Sequence, residues 1–499
     1  MLALRELVLI LDQDKSISLQ NWLFKNNGTN LVKLYYGLLN GTFATDDQAS
    51  IALYDKAGAA AFHKLKYDLR TQLYDFIPFI NIKLKRKGDA EEERFRYHNQ
   101  LMSFNILSHL SGDAAALEMG ENIFENCVKY GFTDLAYIAA KRILGKISSP
   151  KKLSFYIAEA KRLHHIDGIE LEAKTYYDEI MLLYRNDKLT TEELIAFTQA
   201  KRDAFMQIKG EITSPSIATY TYLLDICVHS ARHDAKLIFD TATEAAHYFE
   251  QLPIRNAQAL KTFYYYLIVG YTQRKQFDTA QQYMVKCLAC VSEGTTTWLK
   301  VLELSFVSYL HSGDYSLAIS TWQKATSDKF MQSLGVHTQE KWAIYYAFLH
   351  FLVQSNAYQP TEKDSKILKS DFKLSKFKNN LIFYDKEKSG MNLNIQLVEI
   401  LILIIEKQYE TLSDRYEAIQ KSAQRYIDES ALMSRIRLIF KLLLLCIKHD
   451  FKYDKIIVAA NPTLISLQTQ SIELGDEAYE LEIMPYEKIW EIVMESLKK

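Results

Sequence analysis

Apolar residues recur along most of the chain at intervals of three and four residues, with polar residues between them. This period matches the 3.6 residues of a helical turn, whereas the strict alternation of a half-buried strand is rare. With helices of ordinary length and short connections, the chain is predicted to form about twenty helices. Most of the seven prolines fall between periodic segments, where a helix is expected to begin or end. The pattern therefore predicts an all-α fold.

Two stretches, 258–292 and 296–330, carry the same apolar pattern in the same register. Each is predicted to form two short antiparallel helices, and the small residues Ala280 and Ala318 stand where the helices cross. A helix pair cannot bury its apolar face alone, so neighbouring pairs must stack. The repetition therefore predicts an α-solenoid built from antiparallel helix pairs.

The residues that carry this pattern resemble the tetratricopeptide repeat family. They are Leu267, Tyr271, Phe277 and Ala280 in the first stretch, and Tyr309, Gly313, Tyr315, Ala318, Trp322 and Ala325 in the second. The resemblance implies a right-handed superhelix whose concave face binds a peptide or a partner protein. The chain departs from the family at Ile268 and Phe306, where a glycine is expected. The whole arrangement also resembles large bacterial repeat proteins, and that similarity implies no activity.

The first part of the chain, residues 1–95, is predicted to form a separate N-terminal helical domain that either caps the repeats or resembles a helix-turn-helix. Thr45 and Gln48 have capping-box spacing, which predicts a helix from Asp46 to about Tyr54. After a turn, a longer helix is expected to end near Phe76.

The remainder divides into three parts. Residues 96–354 are predicted to form the tetratricopeptide-like repeats, and residues 355–390 a lysine-rich irregular connection. Residues 391–499 are expected to form further helical repeats, with the amphipathic segment Tyr486–Leu497 as a C-terminal cap.

Composition and charge narrow the function classes. The 499 residues include 60 Lys and Arg against 61 Asp and Glu, and the net charge of −1 provides no overall attraction to nucleic acid or to an anionic membrane. The five cysteines are too few, and odd in number, for a disulfide framework. No apolar run approaches the roughly 20 residues that span a bilayer. We expect a cytoplasmic protein without a membrane segment.

No motif in the sequence points to catalysis. Phosphate-binding loops, dinucleotide fingerprints and the common hydrolase and metalloprotease signatures are missing, so we predict no enzyme, no cofactor and no metal site. Cys287 and Cys290 lack the second cysteine pair of a structural zinc site and are expected to pack as small apolar residues. His229 and His233 could share a helical face, but no third ligand is indicated.

The leading hypothesis is a non-catalytic scaffold that binds a partner protein or peptide on its helical surface. Stacked helices hold aromatic side chains rigidly, so a partner buries area at little entropic cost to the receptor. The candidate contact residues fall between or beside the core positions of the first aligned stretch and are Lys261, Tyr265, Tyr266 and Arg274.

The alternative hypothesis is a regulator whose N-terminal helix pair binds DNA while the repeats act as a sensor. The second helix of that pair carries Lys64, Lys66 and Arg70, but its first residues are nearly all alanine. In the lysine-rich segment, Lys373 and Lys376 with interleaved phenylalanines could contact phosphates and stacked bases, or could simply form a solvated face. A third hypothesis, an enzyme with an unrecognised site, has no group of residues in its favour.

Overall fold

The structure of the chain, a computed structural model, describes residues 1–12, 29–77, 89–110, 112–186, 189–327, 335–368, 372–379, 389–417, 419–421, 434–470, 472 and 482–498. Within these ranges the regular structure is helical and no strand occurs. The predicted all-α fold is confirmed for this part of the chain. The chain divides into two compact units, residues 1–164 and 165–499, with one long helix running through the boundary.

The helices of the first unit are α1 (Leu2–Asp12), α2 (Thr29–Leu39), α3 (Asp46–Tyr54), α4 (Ala60–Phe76), α5 (Ala90–His109), α6 (Asp113–Tyr130), α7 (Thr133–Ile143) and the beginning of α8 (Pro150–Asn186). Helices α1 to α4 share one apolar core. The predicted capping box is confirmed, because the Thr45 hydroxyl accepts from the Gln48 amide at 3.2 Å and the Gln48 side chain accepts from the Thr45 amide at 3.3 Å. The predicted ends of α3 and α4, at Tyr54 and Phe76, are also confirmed.

The second unit contains the rest of α8 and most of the remaining helices in sequential contact. They are α9 (Thr191–Lys209), α10 (Pro215–Ala231), α11 (Ala235–Glu250), α12 (Ala257–Gln273), α13 (Phe277–Leu288), α14 (Thr296–Ser312), α15 (Tyr315–Ala325), α16 (Val336–Gln354), α17 (Glu362–Leu368), α18 (Leu374–Asn379), α19 (Ser389–Ile405), α20 (Tyr409–Asp414), α21 (Ser434–Lys448), α22 (Tyr453–Thr469) and α23 (Tyr486–Lys498).

Consecutive helices of the second unit pack against each other from α9 through α16, and α12 also contacts α14. Contacts between successive helices and between alternate helices are those of a helical solenoid. The two helix pairs predicted from the repeated pattern are present as α12–α13 and α14–α15. The small residues predicted to lie where these helices cross, Ala280 and Ala318, are both fully buried. One continuous apolar core extends from Leu223 to Met494.

Not every proline separates two helices. Pro150 and Pro215 begin α8 and α10, where a missing amide proton costs nothing. Pro462 instead lies inside α22. The expectation that prolines mark helix boundaries therefore fails at this one position, while Pro78 lies outside the described residues.

A recurrent turn joins the two helices of successive pairs. The amide of one residue donates to the carbonyl five positions earlier, and the residue just before that amide has a positive φ, which is the Schellman arrangement. The carbonyl–amide pairs, each separated by 2.8–3.0 Å, are Cys127–Phe132, His229–Asp234, Tyr271–Gln276, Tyr309–Asp314, Leu403–Gln408 and Cys446–Phe451. The turn thus marks the end of the first helix of a pair well beyond the two stretches that the sequence pattern revealed.

Only two of these turns carry glycine at the positive-φ position, namely Gly131 and Gly313. The others are non-glycine residues and are His233, Lys275, Lys407 and Asp450. A Cβ atom in the left-handed region costs about 1–2 kcal/mol, which these turns accept because the surrounding packing fixes them. The turns therefore retain local strain that glycine would relieve.

We expect glycine substitutions at two of these turns to stabilise the protein. Lys275→Gly and Lys407→Gly should each raise the free energy of unfolding by about 0.5–1 kcal/mol, because the relief of the positive φ exceeds the added chain entropy of glycine. Denaturant unfolding of the single variants measures the change.

The matched control is Lys441→Gly, an exposed lysine in the middle of α21. It should lower the free energy of unfolding by about 1 kcal/mol, since glycine disfavours a helix interior. If all three variants are destabilised alike, the turns are not strained as described.

Candidate functional site

Three of the predicted contact residues lie together on one helix. Lys261, Tyr265 and Tyr266 are all half-buried on α12, and this set is called the α12 face below. The two tyrosine rings stand almost perpendicular, with centroids 6.3 Å apart. They are held by a helix whose neighbouring side chains Phe263 and Leu267 are fully buried. Lys261 and Tyr265 lie about one turn apart on the same side of α12, whereas Tyr266 lies about 100° further round the helix. A partly exposed tyrosine ring one turn from a lysine can bury an apolar group whose neighbouring carboxylate pairs with the ammonium group.

The fourth predicted contact residue, Arg274, has a structural position. Its guanidinium carbon lies 3.7 Å from the centroid of the Phe239 ring, and its Nη1 donates to the carbonyl of Gly270 at 3.0 Å. The Phe239 ring packs directly against the backbone of Gly270. A Cβ atom at position 270 would lie only 2.2 Å from that ring, so the contact requires glycine. Arg274 therefore caps the end of α12 and covers Phe239, and its side chain is not brought together with the α12 face.

The repeat register shows how the α12 face changes in the next pair. Residues 38 positions later on α14 are equivalent, as the turns at Lys275 and Gly313 also show. Tyr265 corresponds to Glu303, which is only 3% exposed. From Val301 to His311 every residue of α14 except Tyr309 is buried. The equivalent face is therefore open on α12 and closed on α14.

Polar contacts link the first helices of neighbouring pairs. The Thr272 hydroxyl on α12 donates to the Ser308 hydroxyl on α14 at 2.9 Å, with both residues buried. The Lys341 ammonium on α16 lies 3.3 Å from the Glu303 carboxylate on α14. Such contacts fix the register of adjacent helices, because sliding by one turn would leave buried polar groups without partners.

A second structured region involves the C-terminal helix. Helix α23 packs against α19, α21 and α22. Its buried face contains Tyr486, Ile489, Trp490 and Val493, each at most 5% exposed, at positions i, i+3, i+4 and i+7. An amphipathic helix that binds in a hydrophobic groove presents its apolar side chains at these positions. The segment expected to form the C-terminal cap is therefore a helix, and all four side chains of its apolar stripe are buried.

The start of α23 is fixed by a buried arginine on α21. The Arg435 Nε and Nη2 atoms donate to the two carboxylate oxygens of Glu482 at 2.7 and 2.8 Å, and Nη2 also donates to Glu487 at 2.8 Å. Its Nη1 donates to the carbonyls of Leu467 and Gln470 at the end of α22, at 2.6 and 2.8 Å. We call Arg435, Glu482 and Glu487 the C-terminal clasp.

The electrostatics of the clasp favour the charged form of Arg435. Burial opposes the charge on Arg435, but its hydrogen bonds to Glu482 and the charges of Glu482 and Glu487 raise the pKa of the guanidinium. Next to it, the Nε2 atom of His311 at the end of α14 lies 2.9 Å from the Glu482 carbonyl oxygen. Burial lowers the pKa of His311, so the ring is neutral at pH 7 and Nε2 acts as the donor. The clasp thus ties α21, α22 and α23 to α14.

The basic residues of the N-terminal pair do not form one patch. Lys66 donates to Asp46 at 2.6 Å, and this hydrogen bond lowers the pKa of the Asp46 carboxyl group. Lys64 and Arg70 are exposed on α4. Positions 66 and 70 lie close together around the helix, whereas position 64 points away from both. The structure therefore assigns one candidate to an ion pair and places the others on separate faces.

The lysine-rich segment uses its aromatic residues for packing. Phe372 stacks on His350 with centroids 5.0 Å apart and lies 5.7 Å from Phe377, which is buried. Lys373 and Lys376 are exposed beside them. The two described phenylalanines are thus occupied in the fold and not available to stack on bases, while residues 380–388 lie outside the described part.

The cysteine and histidine pairs considered as metal ligands do not form a metal site among the described residues. Cys287 and Cys290 are buried, and burial raises the pKa of the Cys287 thiol to about 12. His229 lies on α10, whereas His233 falls in the turn after it with a positive φ, so the two do not share a helical face. Among the described residues no three His, Cys, Asp or Glu side chains are placed to hold a metal ion.

None of the helices in the described ranges combines the length and apolar character needed to cross a bilayer. In comparisons with known proteins, no family model, curated protein or solved structure matches the chain. The α12 face and the C-terminal clasp are therefore the two candidate sites on this chain.

Removing one partner of the clasp should be costly. Arg435→Ala leaves the Glu482 carboxylate buried without a counter-charge, and we expect a loss of about 3–5 kcal/mol in the free energy of unfolding. The matched control is Lys488→Ala, which removes an exposed ion pair with Glu491 on the same helix. It should cost less than about 1 kcal/mol. Equal losses in denaturant unfolding would contradict a buried clasp.

Acid should weaken the fold through its buried imidazoles. Burial lowers the pKa of His350 to about 4, below the value near 6.5 of an unfolded histidine. Between these values only the unfolded chain binds the proton, so stability falls as pH falls, by about 1.4 kcal/mol per pH unit.

His350→Phe keeps a ring against Phe372 and removes the titration. Its loss of stability between pH 7 and pH 5 should be about 2 kcal/mol smaller than that of the parent chain. Denaturant unfolding at the two pH values measures the difference, and identical losses would refute the assignment.

Proposed function

We propose that the protein is a non-catalytic scaffold that binds a partner protein or peptide through the α12 face. The observation that carries the proposal is that Lys261, Tyr265 and Tyr266 are only partly buried where the equivalent residues of α14 are fully buried. The register of the two pairs is the same, so the opening is a local property of this pair. An aromatic surface left open within a stacked array supports a role in binding.

The rigidity of α12 supports the same proposal. The helix is packed between α11, α13 and α14, so the tyrosine backbones are already ordered before a partner arrives. A receptor of this kind loses little conformational entropy on binding. The chemistry of the face suits a peptide segment that offers an apolar side chain to the tyrosines and a carboxylate to Lys261.

The proposal also includes the repeat family of the chain and its location in the cell. The helix pairs α12–α13 and α14–α15, each with a fully buried alanine in its second helix, support a tetratricopeptide-like superhelix. The five cysteines are all buried free thiols, which supports a reducing cytoplasmic location. The N-terminal pair is weaker support for a nucleic-acid regulator, because Lys66 is paired with Asp46.

Affinity capture with variants of the full chain tests the proposal. Lys261→Glu combined with Tyr265→Ala and Tyr266→Ala should reduce the recovery of a specific partner at least tenfold relative to the parent chain. Quantitative mass spectrometry of material captured from the native cells provides the measurement. The loss is expected because the variant removes both the apolar and the cationic part of the face.

The control changes a neighbouring helix instead. Gln282→Ala with Val285→Ala alters two exposed positions of α13 in the same helix pair and should leave recovery unchanged. Recovery that is equal for all three proteins, or that is lost equally in both variants, contradicts a binding role for the α12 face.

A further inference from the structure

The C-terminal helix joins parts of the second unit that are distant in sequence. Helix α23 packs on α19, α21 and α22, and the chain just before it reaches the end of α14 through His311 and Glu482. In a simple solenoid each pair contacts only its neighbours. Helix α23 departs from that rule, because it packs across several helices as a bound helical peptide would, and it does not stack as one more repeat.

We propose that the surface formed by α19, α21 and α22 is a helix-binding groove that α23 occupies in cis and an amphipathic helix of a partner protein occupies in trans. The partner helix carries apolar side chains at positions i, i+3, i+4 and i+7, and acidic residues at i−4 and i+1. This inference rests on the proposed scaffold function and names a class of partner for a second surface of the same chain.

The spacing of the apolar side chains defines the first part of this chemistry. Tyr486, Ile489, Trp490 and Val493 form a single stripe and are almost fully buried. A helix that binds in a hydrophobic groove contacts it mainly through side chains at these positions. The rings of Tyr486 and Trp490, at the first and third positions, are the largest side chains of the stripe. A competing helix therefore needs bulky side chains at the first and third of these positions.

Arg435 defines the second part. Its Nη1 atom is committed to the carbonyls at the end of α22, which belong to the groove itself. Its Nε and Nη2 atoms are satisfied only by Glu482 and Glu487, which belong to the α23 segment. Without a covering helix these nitrogens are hydrated, whereas a covering helix that lacks carboxylates buries the guanidinium without a counter-charge, which is strongly unfavourable. The groove therefore selects for a helix that brings carboxylates.

His311 supplies a reason why a partner can compete with α23. Its Nε2 atom is bonded to the Glu482 carbonyl, a main-chain group that any peptide provides. Its Nδ1 atom is buried and has no hydrogen-bond partner among the described residues. A partner that places a donor side chain there gains a contact that α23 does not make. Helix α23 thus leaves one hydrogen bond unmade that a partner helix could make.

The test uses the full chain and a fluorescein-labelled synthetic peptide of residues 482–498. In the variant Trp490→Ala with Val493→Ala, the cis helix is weakened and the labelled peptide should bind, as measured by anisotropy. The parent chain should bind the peptide at least tenfold more weakly, because its own α23 fills the groove. A folded variant that does not bind the peptide, or a parent chain that binds it equally well, overturns the proposal.

A second peptide tests the role of the carboxylates. Replacing Glu482 and Glu487 by glutamine in the peptide should weaken its binding to the same variant at least tenfold. If both peptides bind equally, the selection for an acidic helix is wrong. Should the first variant fail to fold by circular dichroism, Glu482→Gln with Glu487→Gln in the full chain releases α23 without altering its apolar stripe and is tested with the parent peptide.

The two proposals fail separately. If the peptide does not bind but partner recovery still depends on Tyr265 and Tyr266, only the groove is refuted. If the peptide binds while changes to the α12 face leave recovery unchanged, the proposed function of that face is refuted and the groove stands as the binding surface.

Discussion

The structure depends on the burial of apolar faces between successive helix pairs. Helix α14 shows this most clearly, because residues such as Leu302 and Phe306 are buried and its side chains contact partners before and after it in the chain. The Phe306 ring stacks on Tyr345 of α16 with centroids 4.8 Å apart. A pair removed from the array would expose this surface to water, at a cost of about 25 cal/mol for each Å². Stacking therefore holds each helix in place.

The C-terminal helix α23 is held by a buried ionic contact as well as by its apolar stripe. The Arg435–Glu482 pair is desolvated, so its net contribution to stability is small while the cost of breaking it is large. Such a contact favours specificity over affinity. It accepts α23 because that segment carries carboxylates at the right positions, and the same requirement would apply to any other helix.

The sequence predicted those features that depend on local patterns. The capping box at Thr45 and Gln48 involves residues three positions apart, and the pairs around Ala280 and Ala318 follow from helical periodicity. The recurrent turns were missed because residues such as Lys275 and Lys407 stand where a glycine would have signalled them. The C-terminal clasp could not be predicted, because Arg435 and Glu482 lie 47 residues apart and His311 and Glu482 lie 171 apart. Likewise, register equates Tyr265 with Glu303, and only tertiary packing decides that one is open and the other closed.

Native-state hydrogen exchange, read by mass spectrometry, tests the central claim that stacked pairs share one core. If they do, the amides of α12, α14 and α16 exchange through a common opening with the same free energy, since no one of them can be exposed without its neighbours. Exchange of α12 and α13 at a free energy well below that of α14 to α16, with each pair opening on its own, would contradict it.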